Sequence, residues 1–189
     1  MVDSDCENEQ LKAYDAAVEL YQLAALMLGD EGQAVELVEA AVAQTNIDPC
    51  AEAEASVHEA RLNLVETAVA RLSLADPKAF EAPVLAGEHG SGCIEDDDLS
   101  SAGISASQFA GMVNGPARRR LRDWLNKLPV AQRTIFVERA ILGWDNAAAA
   151  ASLSKAASRN WQPGQVSQLF RMALCSLATS LVHATAVQA

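Results

Sequence analysis

The sequence predicts an all-α protein. Its apolar residues are mainly Ala, Leu and Val, with few aromatics, and Ala and Leu lose little side-chain freedom in a helix. Apolar positions recur at helical spacing along much of the chain. No run alternates β-branched and polar residues as a half-buried strand would.

The elements follow in order. Residues 10–28 carry Leu11, Tyr14, Val18, Tyr21, Ala25 and Leu28 at helical spacing. Gly29-Asp30 interrupts, and Asp30 is placed to cap the next helix. That helix, over 31–45, puts Ala34, Leu37, Val38, Ala41 and Val42 on one face, with Glu36 and Glu39 outside it. A third helix is expected over 51–74, stopped by Asp76-Pro77. Residues 82–115 are rich in Gly, Ser and Asp and include the acidic run Glu95-Asp96-Asp97-Asp98. They predict a flexible linker with a short helix near 105–113. Pro116 then opens a four-helix module: 116–128, 130–142 with Gly143 past its end, a helix capped by Asp145, and a last helix opened by Pro163. The expected organisation is therefore an N-terminal helical domain 1–81, an acidic linker 82–115 and a C-terminal domain 116–189.

Charge divides the same way. The net charge is −11, yet residues 1–115 hold 4 Lys+Arg against 22 Asp+Glu, and residues 116–189 hold 10 against 3. The basic part is suited to phosphates and the acidic part is not. The four cysteines are scattered without a close pair, which reads as free thiols of a cytoplasmic protein. No stretch has the length of a membrane span, and the acidic N-terminus does not resemble a secretion signal.

Sites for chemistry are not expected. His58, His89 and His183 lie far apart, with no Cys or carboxylate at ligand spacing. A calcium loop begun at Asp96 would need Gly and Glu where Ser101 and Ser107 stand. No nucleophile elbow or phosphate-cradling glycine pattern is present. The sequence points to no enzyme, no metal and no cofactor.

The stretch 124–144, "WLNKLPVAQRTIFVERAILGW", resembles the start of the region-four domain of bacterial RNA polymerase sigma factors. Leu125, Leu128, Pro129, Gln132, Arg133, Phe136, Arg139 and Gly143 carry the likeness, and Val166, Phe170, Ala173 and Leu177 match the apolar skeleton of the family's last helix. The N-terminal part resembles region two of the same factors through Leu20, Tyr21, Leu28, Gly29, Asp30, Ala34, Leu37 and Val38. The order is that of the extracytoplasmic-function group. The resemblance implies a three-helix region-two-like bundle and a region-four-like helix-turn-helix. It implies docking on RNA polymerase core through Ala34, Glu36, Leu37, Val38 and Glu39, contact with promoter DNA, and an anti-sigma-type protein partner.

Three departures bear on DNA binding. The third helix has no aromatic residue for stacking on promoter bases. The expected recognition helix is nearly neutral, with Gln165, Ser167, Gln168 and the lone Arg171. The turn before it is long for a helix-turn-helix. Phosphate contact is expected instead from Arg118, Arg119, Arg120 and Arg122, supplemented by Arg133, Lys155 and Arg159. The acidic run of the linker is expected to pair with the arginine cluster and screen it. Trp124, Trp144 and Trp161 read as core residues of a small module. The function these features imply is a sigma-type transcription regulator with weakened DNA contact. The alternative is a protein-interaction regulator on the same scaffold that does not bind DNA, and a structural helical dimer comes third.

Overall fold

Gly29 adopts φ 75° and its N–H bonds to the Ala25 carbonyl at 3.0 Å, closing the first helix with the left-handed turn that glycine tolerates best. Asp30 then caps the second, accepting from the Gln33 N–H at 2.8 Å. In this computed structural model, which describes residues 3–45, 53–83 and 93–186, the first unit spans Met1–Ala75 and the second Asp76–Ala189. Among the described residues the regular elements are all helical, as expected.

The first unit packs α1 (Asp3–Leu28), α2 (Glu31–Ala43) and α3 (Ala53–Ala75) against one another. Its core is Leu20, Leu23, Ala24 and Met27 from α1, Ala34, Leu37 and Ala41 from α2, and Leu64, Val65, Ala68 and Val69 from α3. The stripe expected on α1 is corrected at its start: Tyr14 and Val18 are exposed. Residues 20–28 are apolar almost all round the helix, so two stripes fit the helical period. The one that faces both partner helices is buried.

The second unit contains α4 (Ala106–Asn114), α5 (Arg118–Leu125), α6 (Val130–Phe136), α7 (Asn146–Ala156) and α8 (Pro163–Ala186). The helix expected over 130–142 changes character midway. After α6 the chain makes a π turn, Val137–Ile141, that accommodates one wider turn before Gly143 at φ 69°. Phe136, fully buried, is the centre of this unit. Its ring meets Trp124 at 4.9 Å, Phe170 at 5.8 Å and Phe109 at 6.0 Å, the first and last edge-on. One side chain thus joins α4, α5, α6 and α8. Trp124 and Trp161 are buried, in line with their reading as core residues, while Trp144 is only half-buried.

The expected linker 82–115 is corrected. Residues 84–92 lie outside the described residues. Residues 93–115, however, are part of the second unit. A 3-10 turn, Leu99–Ala102, packs against α8, and α4 packs against α5. Ile94, Ile104 and Phe109 are buried at 4 to 6 % exposure. These three apolar residues, spread among Gly, Ser and Asp, are what convert a polar stretch into a docked one. Ser105 and Gln108 form a reciprocal capping box that starts α4 close to where the short helix was expected. The C-terminal domain consequently begins before Pro116.

All three tryptophans lie in the second unit, so tryptophan fluorescence follows its unfolding. Phe136→Ala is expected to destabilise that transition by about 3–5 kcal/mol, the usual result of emptying a buried aromatic site. Denaturant titration of the full chain checks this; a loss below about 1 kcal/mol would contradict a central role for Phe136.

Candidate nucleic-acid interface

Asp145 accepts from the Ala148 N–H at 2.7 Å and starts α7, which buries Ala149, Ala150 and Leu153 against α8. The connection over 157–162 is ordered by its own contacts. Ser158 takes φ 52°, Trp161 is buried, and the Trp161 N–H bonds to Ser154 Oγ at 2.9 Å. Gln165 Oε1 accepts from the Gln162 N–H at 2.8 Å and secures the start of α8. Trp161 accounts for the long turn: the connection is ordered around a buried indole. Along α8 the buried residues are Val166, Phe170, Ala173, Leu174 and Leu177; of the apolar face that the helical spacing predicts, Leu169 is only half-buried.

The side of α8 carrying Ser167 and Arg171 is covered by a strap, residues 93–104. Cys93 and Cys175 form a disulfide with Cα atoms 5.8 Å apart. This corrects the reading of these two cysteines as free thiols, which took only short sequence spacings as a pairing signal; 82 residues separate them. Next along the strap, the Glu95 carbonyl accepts from Arg171 Nη1 at 3.1 Å. Then the Asp97 carboxylate accepts from Asn146 Nδ2 at 2.5 Å and from Ser167, and lies 3.7 Å from Arg139 Nη2. Arg139 also donates to the Asp97 carbonyl at 3.2 Å and to the Trp144 carbonyl at 2.5 Å, while its guanidinium lies over the Phe170 ring at 5.0 Å. Burial pushes the Asp97 carboxyl up, but the bonds from Asn146 and Ser167 and the Arg139 charge outweigh it and hold the group below the ordinary carboxylate range.

The expected site residues are therefore distributed over several settings. On α5, Arg119 and Arg120 are exposed and Arg118 and Arg122 half-buried. Lys155 and Arg159 are exposed at the end of α7 and in the turn. Arg133 is corrected: it is buried at 7 % exposure, its guanidinium donates to Asn126 Oδ1 at 3.2 Å, and it has no surface from which to meet a phosphate. Gln165 is held by Gln162 and donates to the Pro83 carbonyl at 2.8 Å, so it is engaged in structure. Ser167 and Arg171 face the strap, and Gln168 is half-buried beside them. The expected pairing of the acidic run with Arg118–Arg122 is also corrected, because the contacts made by Glu95 and Asp97 are with Arg171, Arg139, Asn146 and Ser167. In the first unit, Ala34 and Leu37 are wholly buried in the domain's own core and Val38 is half-buried; among the expected residues of α2 only Glu36 and Glu39 are exposed, with Val35 exposed beside them.

No family model matches the chain, and neither a curated protein nor a solved structure matches it. The site must be read from its own residues. Sequence reasoning missed Asp97, Arg139 and Asn146 as a set. Their signal was slight: an acidic run with one aspartate flanked by buried isoleucines at Ile94 and Ile104.

Glu138, in the π turn beneath this cluster, is fully buried. Burial raises its pKa from 4.5 to about 8, only partly opposed by the bond that Ser152 Oγ donates at 2.9 Å. The folded protein thus holds a proton that the unfolded chain releases between pH 4.5 and about 8. Stability of the second unit falls as pH rises through that window, by up to about 1.4 kcal/mol per pH unit. Asp97 has the opposite sign: its contribution is lost as pH falls through its lowered folded value. Denaturation followed by tryptophan fluorescence at about pH 5.5 and 8.5 is expected to show the higher midpoint at the lower pH. Glu138→Gln should remove most of the difference, and a wild-type midpoint that rises with pH would contradict the assignment.

Proposed function

We propose that this chain is a sigma-factor-type transcription regulator of the cytoplasm, whose second unit binds promoter DNA through a helix-turn-helix and whose first unit docks on RNA polymerase core. The observation that carries the reading is the α7–α8 pair. Two helices joined by an ordered turn present Ser167 and Arg171, one turn apart, on a side of α8 that its buried face leaves to the strap. Ser, Gln and Arg are side chains that hydrogen-bond base edges and phosphates. The exposed Arg119, Arg120, Lys155 and Arg159 supply positive charge on the same unit. The likeness to region four over residues 124–144 supports the same direction.

For the first unit, the polymerase-facing surface is reassigned to Val35, Glu36 and Glu39. These are exposed residues in the middle of α2, and they combine an apolar contact with acidic charge. Ala34 and Leu37 set the helix in place from within.

A second reading has its own support. The side of α8 that would read DNA is occupied by residues 93–104, so the closed chain suits a regulator that binds protein partners and not DNA. An anti-sigma-type protein is the partner class of that reading.

Fluorescence anisotropy with duplex DNA separates the two. The DNA reading predicts binding that weakens steeply with salt, and Arg119→Ala with Arg120→Ala lowers the slope of log K against log salt by about 2. Absence of duplex binding in both the oxidised and the dithiol-reduced chain, with polymerase core still retained, would favour the second reading. For the α2 surface, Glu36→Lys with Glu39→Lys is expected to abolish core polymerase retention while leaving the helical content unchanged; full retention would sink the reassigned surface.

A further inference from the structure

We infer that residues 93–104 are a redox-fastened cover over a phosphate site on α7 and α8. Dithiol reduction of Cys93–Cys175 frees Arg139, Asn146, Ser167 and Arg171 to bind a phosphate group. The inference rests on the reading of α8 as the DNA-contacting helix only for the source of that phosphate, a duplex DNA backbone.

Three observations carry it. First, Asp97 behaves as an anion bound by the protein. Its carboxylate oxygens take a hydrogen bond from a neutral amide, one from a hydroxyl and the field of a guanidinium, the donor types that hold a phosphate in nucleic-acid complexes. Second, the strap fills this site incompletely. Arg139 Nε, Arg171 Nε and Asn146 Oδ1 are buried without a hydrogen-bond partner. Two of these atoms are guanidinium donors left over once the strap has supplied its acceptors, and the two non-bridging oxygens of a backbone phosphodiester, not tied to the strap's own chain, can turn to meet them. Third, the fastening is reachable. Cys93 is exposed and Cys175 half-buried, so a thiolate can attack the bond.

The step balances with a dithiol as reductant. One dithiol thiolate attacks a sulfur of Cys93–Cys175 to form a mixed disulfide, and its second thiol displaces the protein sulfur. The dithiol leaves as a cyclic disulfide, and the protein gains two electrons and two protons as two thiols. The described contacts that then hold the strap are the burial of Ile94 and Ile104, the packing of the Leu99–Ala102 turn on α8 and the polar contacts to Arg139, Asn146, Ser167 and Arg171. An incoming phosphate competes for those polar contacts directly.

The test uses the full chain, oxidised or reduced with dithiothreitol, and Cys175→Ser as a permanently unfastened form; tryptophan fluorescence verifies that each is folded. Hydrogen exchange reports the strap, and inorganic phosphate titrated against the backbone amide signals of Asn146, Ser167 and Arg171 reports the site. The expected result is faster exchange over 93–104 in the reduced and Cys175→Ser forms. Phosphate should shift the three amides at concentrations about tenfold lower than in the oxidised chain. Asp97→Asn, with the disulfide intact, should give part of that gain. Unchanged exchange on reduction, or equal phosphate response in both redox forms, would overturn the inference. A reduced chain that opens and binds phosphate but not duplex DNA would uphold the cover and refute the DNA reading of the preceding section.

Discussion

The carboxylate of Asp97 lies between Asn146 at the start of α7, Ser167 on α8 and Arg139 in the π turn, and the placement of the strap depends on that meeting point. Each partner is there for a prior structural reason. Asn146 is the first residue of a helix capped by Asp145. Ser167 follows Val166, whose burial sets the rotation of α8. Arg139 emerges from the π turn that also turns Glu138 inward. A charged group placed there is well solvated by protein dipoles, which is why its carboxyl stays below the ordinary range despite burial.

Beneath this polar junction the second unit is an aromatic core. Phe136 joins α4, α5, α6 and α8 through Phe109, Trp124 and Phe170, and Arg139 lies on the outer face of the Phe170 ring. The junction and the core are therefore mechanically linked through Phe170. The neutral Glu138 adds a cost of burial that rises with pH. Stability of the core and accessibility of the polar side of α8 are set by neighbouring residues on one short segment, 136–139.

Helix positions were largely legible in the sequence because caps and breakers act locally. Asp30, Ser105, Asp145 and Pro163 mark starts at or next to the observed ones, and the apolar face of α8 follows from its spacing alone. What the sequence did not disclose depends on distant pairing. Residues 93–115 read as linker because their composition is polar, and the anchors Ile94, Ile104 and Phe109 are too sparse to show a period. Cys93 and Cys175 meet across 82 residues. Arg133 lies in a helix whose exposed positions are not evident from a seven-residue span. On α2 the apolar match of Ala34 and Leu37 is a core signal, and only its polar neighbours are at the surface.

The central claim is that residues 93–104 lie on α8, closing the polar side of the helix pair. Peptide mapping by mass spectrometry under non-reducing conditions, after equilibration with oxidised glutathione, tests it most directly. The account predicts a linked pair of peptides containing Cys93 and Cys175, lost on reduction. Finding both thiols free, or Cys93 joined to a different cysteine, would contradict it.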